Sequence, residues 1–276
     1  MAAACVCSLL ESAAKAKAWS GKMPTLQGTY VQNWTLSGVA ISYLKVRQSG
    51  QGTKEQDAAI QKWFAAMAAQ VRAYFDAGAS NPKSDAWNNH IYWAGLAVAA
   101  EGIAANDAKA FRWGMDTYKG GVDSIQPDGS LVAEMYRAQM APHYHLYALG
   151  PLILLAEFGE TNGMHLYAED DGAIHRLVKL CTSGLEYPTI FEKRVGVKQV
   201  VSQPYEGETL GGRCRMSGAF RMPRWRPCSR RLRGSGIRRG AGSRRRSNLC
   251  DRGISFSFCR CPDIAEVSRS GWRQMI

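Results

Sequence analysis

The chain has 276 residues, of which 46% are hydrophobic and 21% charged. That is enough apolar content for a sizeable core, and it excludes a disordered polyelectrolyte; no apolar run approaches the roughly 18–20 residues that a bilayer span requires, which excludes a membrane-spanning protein. The net charge of +12 is concentrated at one end: 17 of the 35 basic residues, all Arg, and three of the 23 acidic ones fall in 211–276, giving that stretch +14 and the remainder −2.

The first ten residues, Met1 to Leu10, are apolar but lack a basic leader, and Glu11 to Trp19 continue them as an amphipathic helix. That is a poor signal peptide. It reads as a folded helix that begins abruptly, as though an upstream segment were missing. Ala- and Leu-rich helical patterns then follow one another, over about 4–18, 29–47, 54–77, 89–105, 107–125, 131–160 and 171–184. Gly50-Gln51-Gly52, Gly78 to Pro82, Asn106-Asp107, Pro127-Asp128-Gly129 and Asn162-Gly163 separate them. Asp107 and Asp128 suit N-cap or turn positions, because a short carboxylate accepts from nearby backbone N–H groups. Only Val195 to Ser202 hints at a strand, so the class is all-α.

Trp19, Trp34, Trp63, Trp87, Trp93 and Trp113 exceed what a simple bundle needs. Aromatics in a helical array are by default core residues. Their other use is to stack on sugar rings.

Two clusters carry chemistry. Trp87-Asn88-Asn89-His90-Ile91-Tyr92-Trp93 opens a helix that continues as Ala94-Gly95-Leu96. Helix N-termini present unpaired N–H groups and a positive dipole end, which suits an anionic ligand. The plain alternative is a capped helix with a satisfied histidine. The second cluster runs from Glu134 through Arg137 to His143-Tyr144-His145 and Tyr147. Arg137 and Tyr144 are two helical turns apart, so one helix could present both on one face. Pro142 lies between them and either kinks that helix or starts a new one. The plain alternative is an exposed Arg, a core Tyr and a partly buried His. The five His (90, 143, 145, 165 and 175) form no metal-ligand motif such as HExxH, and no cofactor is expected.

Together, Asn88-Asn89-His90-x-Tyr92-Trp93 and, after a helical hairpin, Arg137 with Tyr144-His145-x-x-Ala148-Leu149 resemble the alginate lyase family, specifically the poly(β-D-mannuronate) lyases. The turn Gln126 to Leu131 agrees, and the resemblance covers roughly residues 4 to 200. It implies an incomplete (α/α) toroid of helical hairpins acting as a monomer on an anionic polysaccharide, in the periplasm or secreted, with neither nucleic acid nor membrane as partner. It implies that Asn89, His90, Arg137 and Tyr144 are catalytic, and that Gln27, Trp34, Tyr92, Trp93 and His145 bind sugar units. The implied reaction is β-elimination from a polyuronate, with Arg137 and Asn89 on the substrate carboxylate, Tyr144 as combined base and acid, and His90 in a supporting or alternative-base part. An inactive polyuronate-binding remnant is the alternative. The chain departs from the family pattern at Met140, where a second Arg is usual, and at Pro142, where Leu is usual. The family's mobile N-terminal lid and further C-terminal helices are also not found in it.

The chain is accordingly divided into a partial toroid domain, 1–210, and a tail, 211–276. The tail holds no Lys, five of the eight Cys (Cys214, Cys228, Cys250, Cys259 and Cys261) and no useful periodicity. A basic arm for a polyanion, a metal or disulfide module, and the product of a shifted reading frame compete as explanations. Natural arms mix Lys with Arg, and Cys259-Arg260-Cys261 lacks zinc-module spacing. The composition favours the third reading, and with it a disordered tail without an evolved role.

Overall fold

Helices occupy the chain where its apolar period places them. The structure is a computed structural model and describes residues 2–200, all in one unit that reaches Val201. The readings made for the tail, and the end of the strand hinted at over 195–202, lie outside the described residues. Among the described residues the helices are α1 (Ala2–Lys15), α2 (Leu26–Arg47), α3 (Lys54–Gly78), α4 (Asn89–Ala105), α5 (Ala108–Asp123), α6 (Val132–Met135), α7 (Ala141–Thr161), α8 (Glu169–Glu186) and α9 (Thr189–Val195). Short 3₁₀ turns precede α4, α7 and α8. The only strand-like feature among them is a single bridge between Ile125 and Leu131, closed by the turn at Asp128-Gly129. Val195 ends a helix, and no strand follows it through Val200.

Local sequence sets the helix ends. Thr53 and Gln56 form a reciprocal capping box at α3. Asp107 accepts from the N–H groups of Lys109 and Ala110 and starts α5. Asp128 instead holds a turn, accepting from the Ser130 N–H and hydroxyl on one oxygen and from Arg194 on the other. The expected long helix over 131–160 is broken. Ala138 adopts a left-handed φ of 49°, and α7 starts afresh with Pro142 in its first turn, where the missing N–H costs nothing.

The helices pair as α2/α3, α4/α5 and α7/α8, with α2, α4 and α7 forming an inner row and α1 closing against α2 and α3. The fold is thus an incomplete (α/α) toroid. Helix α4 is apolar on every side because α2, α3, α5 and α7 all pack on it. Small residues make this possible. A Cβ on Gly102 would lie 2.5 Å from the Phe111 backbone nitrogen, and one on Gly114 2.6 Å from the Ala99 side chain, so α4 and α5 cross at a distance that only glycine allows.

A carboxyl interrupts the apolar middle of α4. Glu101 is 2% exposed. Burial, together with the charge of Asp107, pushes its carboxyl up to about 7, against a partial offset from Arg72. A carboxyl that holds its proton more tightly when folded favours the fold at low pH, and that advantage is lost as pH rises from the ordinary 4.5 through about 7. Glu101→Gln is therefore expected to stabilise the protein by roughly 1–3 kcal/mol at pH 8 and hardly at all at pH 4. Urea melts at both pH values check this; an equal gain at both would refute the burial cost as the cause.

Candidate active site

The N-terminal halves of α2, α4 and α7 come together along the inner row, Tyr30 and Trp34 of α2 meeting His90 of α4 and Tyr147 of α7. Asn88 starts α4 by accepting from the His90 N–H on its side-chain oxygen, and this aims the His90 ring across to α2. There it stacks on Tyr30, with centroids 3.7 Å apart and planes 11° apart. The Tyr30 hydroxyl in turn donates to Asp85. Tyr30, Trp34 and Gln27 share one face of α2 by their helical spacing; Trp34 is half-buried and Gln27 exposed in the first turn. Trp34 meets Tyr147 edge-on at 5.9 Å, and Tyr147 also packs against Trp93 at 5.1 Å and stacks on His143 at 6.2 Å.

A proline inside α7 fixes this aromatic wall. Pro151 has no N–H to give to the carbonyl of Tyr147, four residues earlier. That carbonyl accepts the Trp93 indole N–H instead, at 3.2 Å. A defect in one helix thereby sets the side chain of another.

Arg137 and Tyr144 come together without sharing a helix. Arg137 sits in the broken segment before α7, and the turn brings its guanidinium over the Tyr144 ring, 4.5 Å from the centroid. Its Nε is 3.6 Å from the Glu134 carboxylate. Glu134 is fully buried and accepts from Asn89 three times: from the backbone N–H at 2.7 Å and from the side-chain amide at 3.1 and 3.0 Å. Burial raises its carboxyl above the ordinary range, while these hydrogen bonds and Arg137 pull the other way. His90 is pushed down to about 4 by burial, with Arg137 adding to the effect and Asp85 opposing it, so its ring is uncharged at neutral pH.

The structure thus gathers His90, Arg137, Tyr144, Trp34 and Trp93 around one cleft. Asn89 stands differently: it is fully buried, its side-chain amide donates to the Glu134 carboxylate, and its side-chain oxygen has no partner. Two expected sugar-binding residues are corrected. Tyr92 is 4% exposed and points away from the cleft, its hydroxyl meeting Ser124 and its ring lining a separate cavity of about 270 Å³ with Trp87 and Trp113. His145 is wholly buried; Nε2 accepts the Leu131 N–H at 3.0 Å and Nδ1 donates to the Ala141 carbonyl at 2.7 Å. His145 has no polar atom left for a ligand. Met140 ends the turn before α7 and brings no charge to the cleft.

Tyr30, Glu134, His143 and Tyr147 are the cleft residues that the sequence reading left without a role. Spacing could have found three of them: Tyr30 lies four before Trp34, Glu134 three before Arg137, and Tyr147 three after Tyr144. Among the described residues no group of three or more His, Cys, Asp or Glu could hold a metal ion.

An aromatic-walled cleft toward the N-terminal ends of paired helices, bearing the Arg137 guanidinium beside Tyr144 and an uncharged His90, defines the class: an incomplete (α/α) toroid with a cleft suited to an anion. A family model described as Alginate lyase matches residues 1–191. The chain is 39% identical over 205 residues to a polysaccharide lyase of Stenotrophomonas maltophilia (strain K279a), covering 73% of this chain and 60% of that protein. It is 36% identical over 199 residues to an alginate lyase of Cobetia marina, covering 71% and 52% of the two. It also superposes with a TM-score of 0.66 and 28% identity on alginate lyase A1-III, a His-to-Ala variant complexed with a tetrasaccharide, covering 74% of this chain and 59% of that one. The chain belongs to the alginate lyase family. It spans between half and two thirds of the length of these relatives.

Proposed function

We propose that the protein binds alginate, specifically polymannuronate, and cleaves it by β-elimination to leave 4,5-unsaturated uronate ends. The observation that carries this reading is the Arg137–Tyr144 stack beside an uncharged His90. The proton to be removed, on C5, is α to a carboxylate, so its loss adds charge to an anion. A fixed guanidinium on that carboxylate offsets the added charge. Arg137 has this role.

Tyr144 is the base and the acid. Its deprotonated oxygen takes the C5 proton; the electron pair freed forms the C4–C5 double bond, the C4–O bond breaks, and the leaving oxygen receives the proton from the same phenol. In mannuronate both lie on one side of the ring, so one group suffices. His90, being neutral, is a proton acceptor in a supporting or alternative-base part. Trp34, Trp93 and Gln27 hold neighbouring sugar units, and the tetrasaccharide bound by alginate lyase A1-III is in keeping with an extended cleft. The division into a 1–210 catalytic domain and a 211–276 tail, the monomeric state and a periplasmic or secreted location belong to this same proposal. No helix among the described residues is long and apolar enough to cross a membrane.

The test is the full 276-residue chain mixed with polymannuronate, followed by ultraviolet absorbance of the unsaturated product. Rising absorbance supports the lyase. A helical protein that binds the polymer without any rise would instead make it the inactive binding remnant.

A further inference from the structure

The Glu134 carboxylate is an anion placed where an anionic substrate must dock. It is fully buried, and among the described residues the cation that pairs with it is Arg137, 3.6 Å away. Arg137 is also the group to which the proposed function gives the substrate carboxylate. One guanidinium is therefore shared by two carboxylates. Glu134 also accepts from the Asn89 side-chain amide on both of its oxygens, while the Asn89 oxygen is left without a hydrogen bond.

We propose that Glu134 takes up a proton when an anionic ligand engages Arg137, so that polyuronate binding is proton-linked and Glu134 is the positioning residue that adjusts Arg137 and Asn89 to the ligand. This inference rests on the polyuronate reading of the cleft. A second carboxylate beside Arg137 weakens the hold of the guanidinium on Glu134 and adds like charge, and both changes favour the neutral acid. The proton comes from solvent and settles on the carboxyl oxygen. Its O–H then donates to the Asn89 oxygen once the Asn89 amide has turned over, which satisfies that acceptor. The amide N–H that Glu134 had held swings to the position the oxygen leaves. The other Glu134 oxygen keeps the Asn89 backbone N–H, so the α4 start is unchanged.

The titratable neighbours leave Glu134 as the responding group. Tyr92, on α4, feels the Glu134 charge, and burial holds its phenol up at about 12. His145, on α7, is held down at about 4 with both nitrogens bonded. His90 is likewise held down at about 4. Arg137 stays charged throughout. Burial already holds the Glu134 carboxyl above the usual range before any ligand arrives.

Calorimetric titration of the full chain with an oligomannuronate, in buffers of different ionisation enthalpy at pH 8, reads proton uptake directly. The expected result is uptake of a fraction of a proton per ligand bound, up to about half a proton for one pKa unit of coupling, and wild-type affinity that falls as pH rises from 6 to 9. Glu134→Gln, which carries the neutral state permanently, is expected to take up no proton, to bind about tenfold more tightly than wild type at pH 8 and to lose the pH dependence, tenfold being the equivalent of one pKa unit of coupling. Binding without uptake in wild type, or a variant that binds more weakly with the wild-type pH profile, would overturn the proposal and leave Glu134 a structural clamp. Absence of any binding heat in wild type would overturn the polyuronate reading itself, a different result. If Glu134→Gln does not fold by circular dichroism, Glu134→Asp takes its place: it keeps the charge and must keep the proton uptake, and loss of uptake there would equally refute the idea.

Discussion

Tyr144→Phe is expected to lower polymannuronate turnover by about 10²–10⁴-fold, the range for losing a positioned acid–base group, while the protein folds and binds as before. Its geometry makes this a clean substitution. Arg137 lies over the ring rather than at the oxygen, 4.5 Å from the centroid, and the packing of His143 is likewise against the ring. Phenylalanine keeps both contacts and removes only the atom that moves the proton. The measurement is the rate of ultraviolet absorbance increase for both proteins, with polymer binding followed separately by tryptophan fluorescence from Trp34 and Trp93. Turnover near wild type would show that His90 alone, or another group, is the base. Loss of binding along with turnover would show that the oxygen holds substrate rather than reacting with it.

His145→Ala is expected to have the largest effect on stability and little direct effect on the cleft. The ring is wholly buried against Phe191, and it joins the start of α7 to the turn before α6 through its bonds to Ala141 and Leu131. Truncation leaves a cavity and an unpaired buried Leu131 N–H, together costing about 3–5 kcal/mol. The cost must also depend on pH. A histidine held down at about 4 when folded and near 6.5 when unfolded stabilises the fold above 6.5, and the contribution is lost as pH falls toward 4. The variant should therefore lie well below wild type at pH 7.5 and close much of the gap by pH 4.5, as chemical denaturation at the two pH values would read. A loss of polymer affinity with unchanged stability would return His145 to the ligand-binding set.

His145 also shows why the two motifs were only partly legible. Residue types and spacing pointed to a dense polar cluster, and the cluster is real, but they cannot say which members face the cleft. Tyr144 and His145 are adjacent on one helix, so about 100° separates their directions, and one is drawn to the cleft while the other is buried. Tyr92 and Trp93 divide in the same way on α4. Glu134 heads the second cluster without a role for a related reason: nothing local says that it is buried under Asn89.

The sequence by itself determined the helical class, the helix boundaries to within a few residues over most of the body, the cap at Asp107, and the two polar clusters that the fold brings together. These depend on the apolar period and on side chains acting on their own backbone, interactions that span a few residues. Tertiary structure alone decided the rest. It decided that the start of α7 at Pro142 folds Arg137 onto Tyr144, that the carbonyl freed by Pro151 aims Trp93, and that Tyr92 and His145 turn into the core. It also decided that Glu134 is buried under Asn89 with Arg137 beside it. Each of these is a contact between groups brought together by the packing of α2, α4 and α7, and the direction of a side chain at such a contact is set by the partner it finds there.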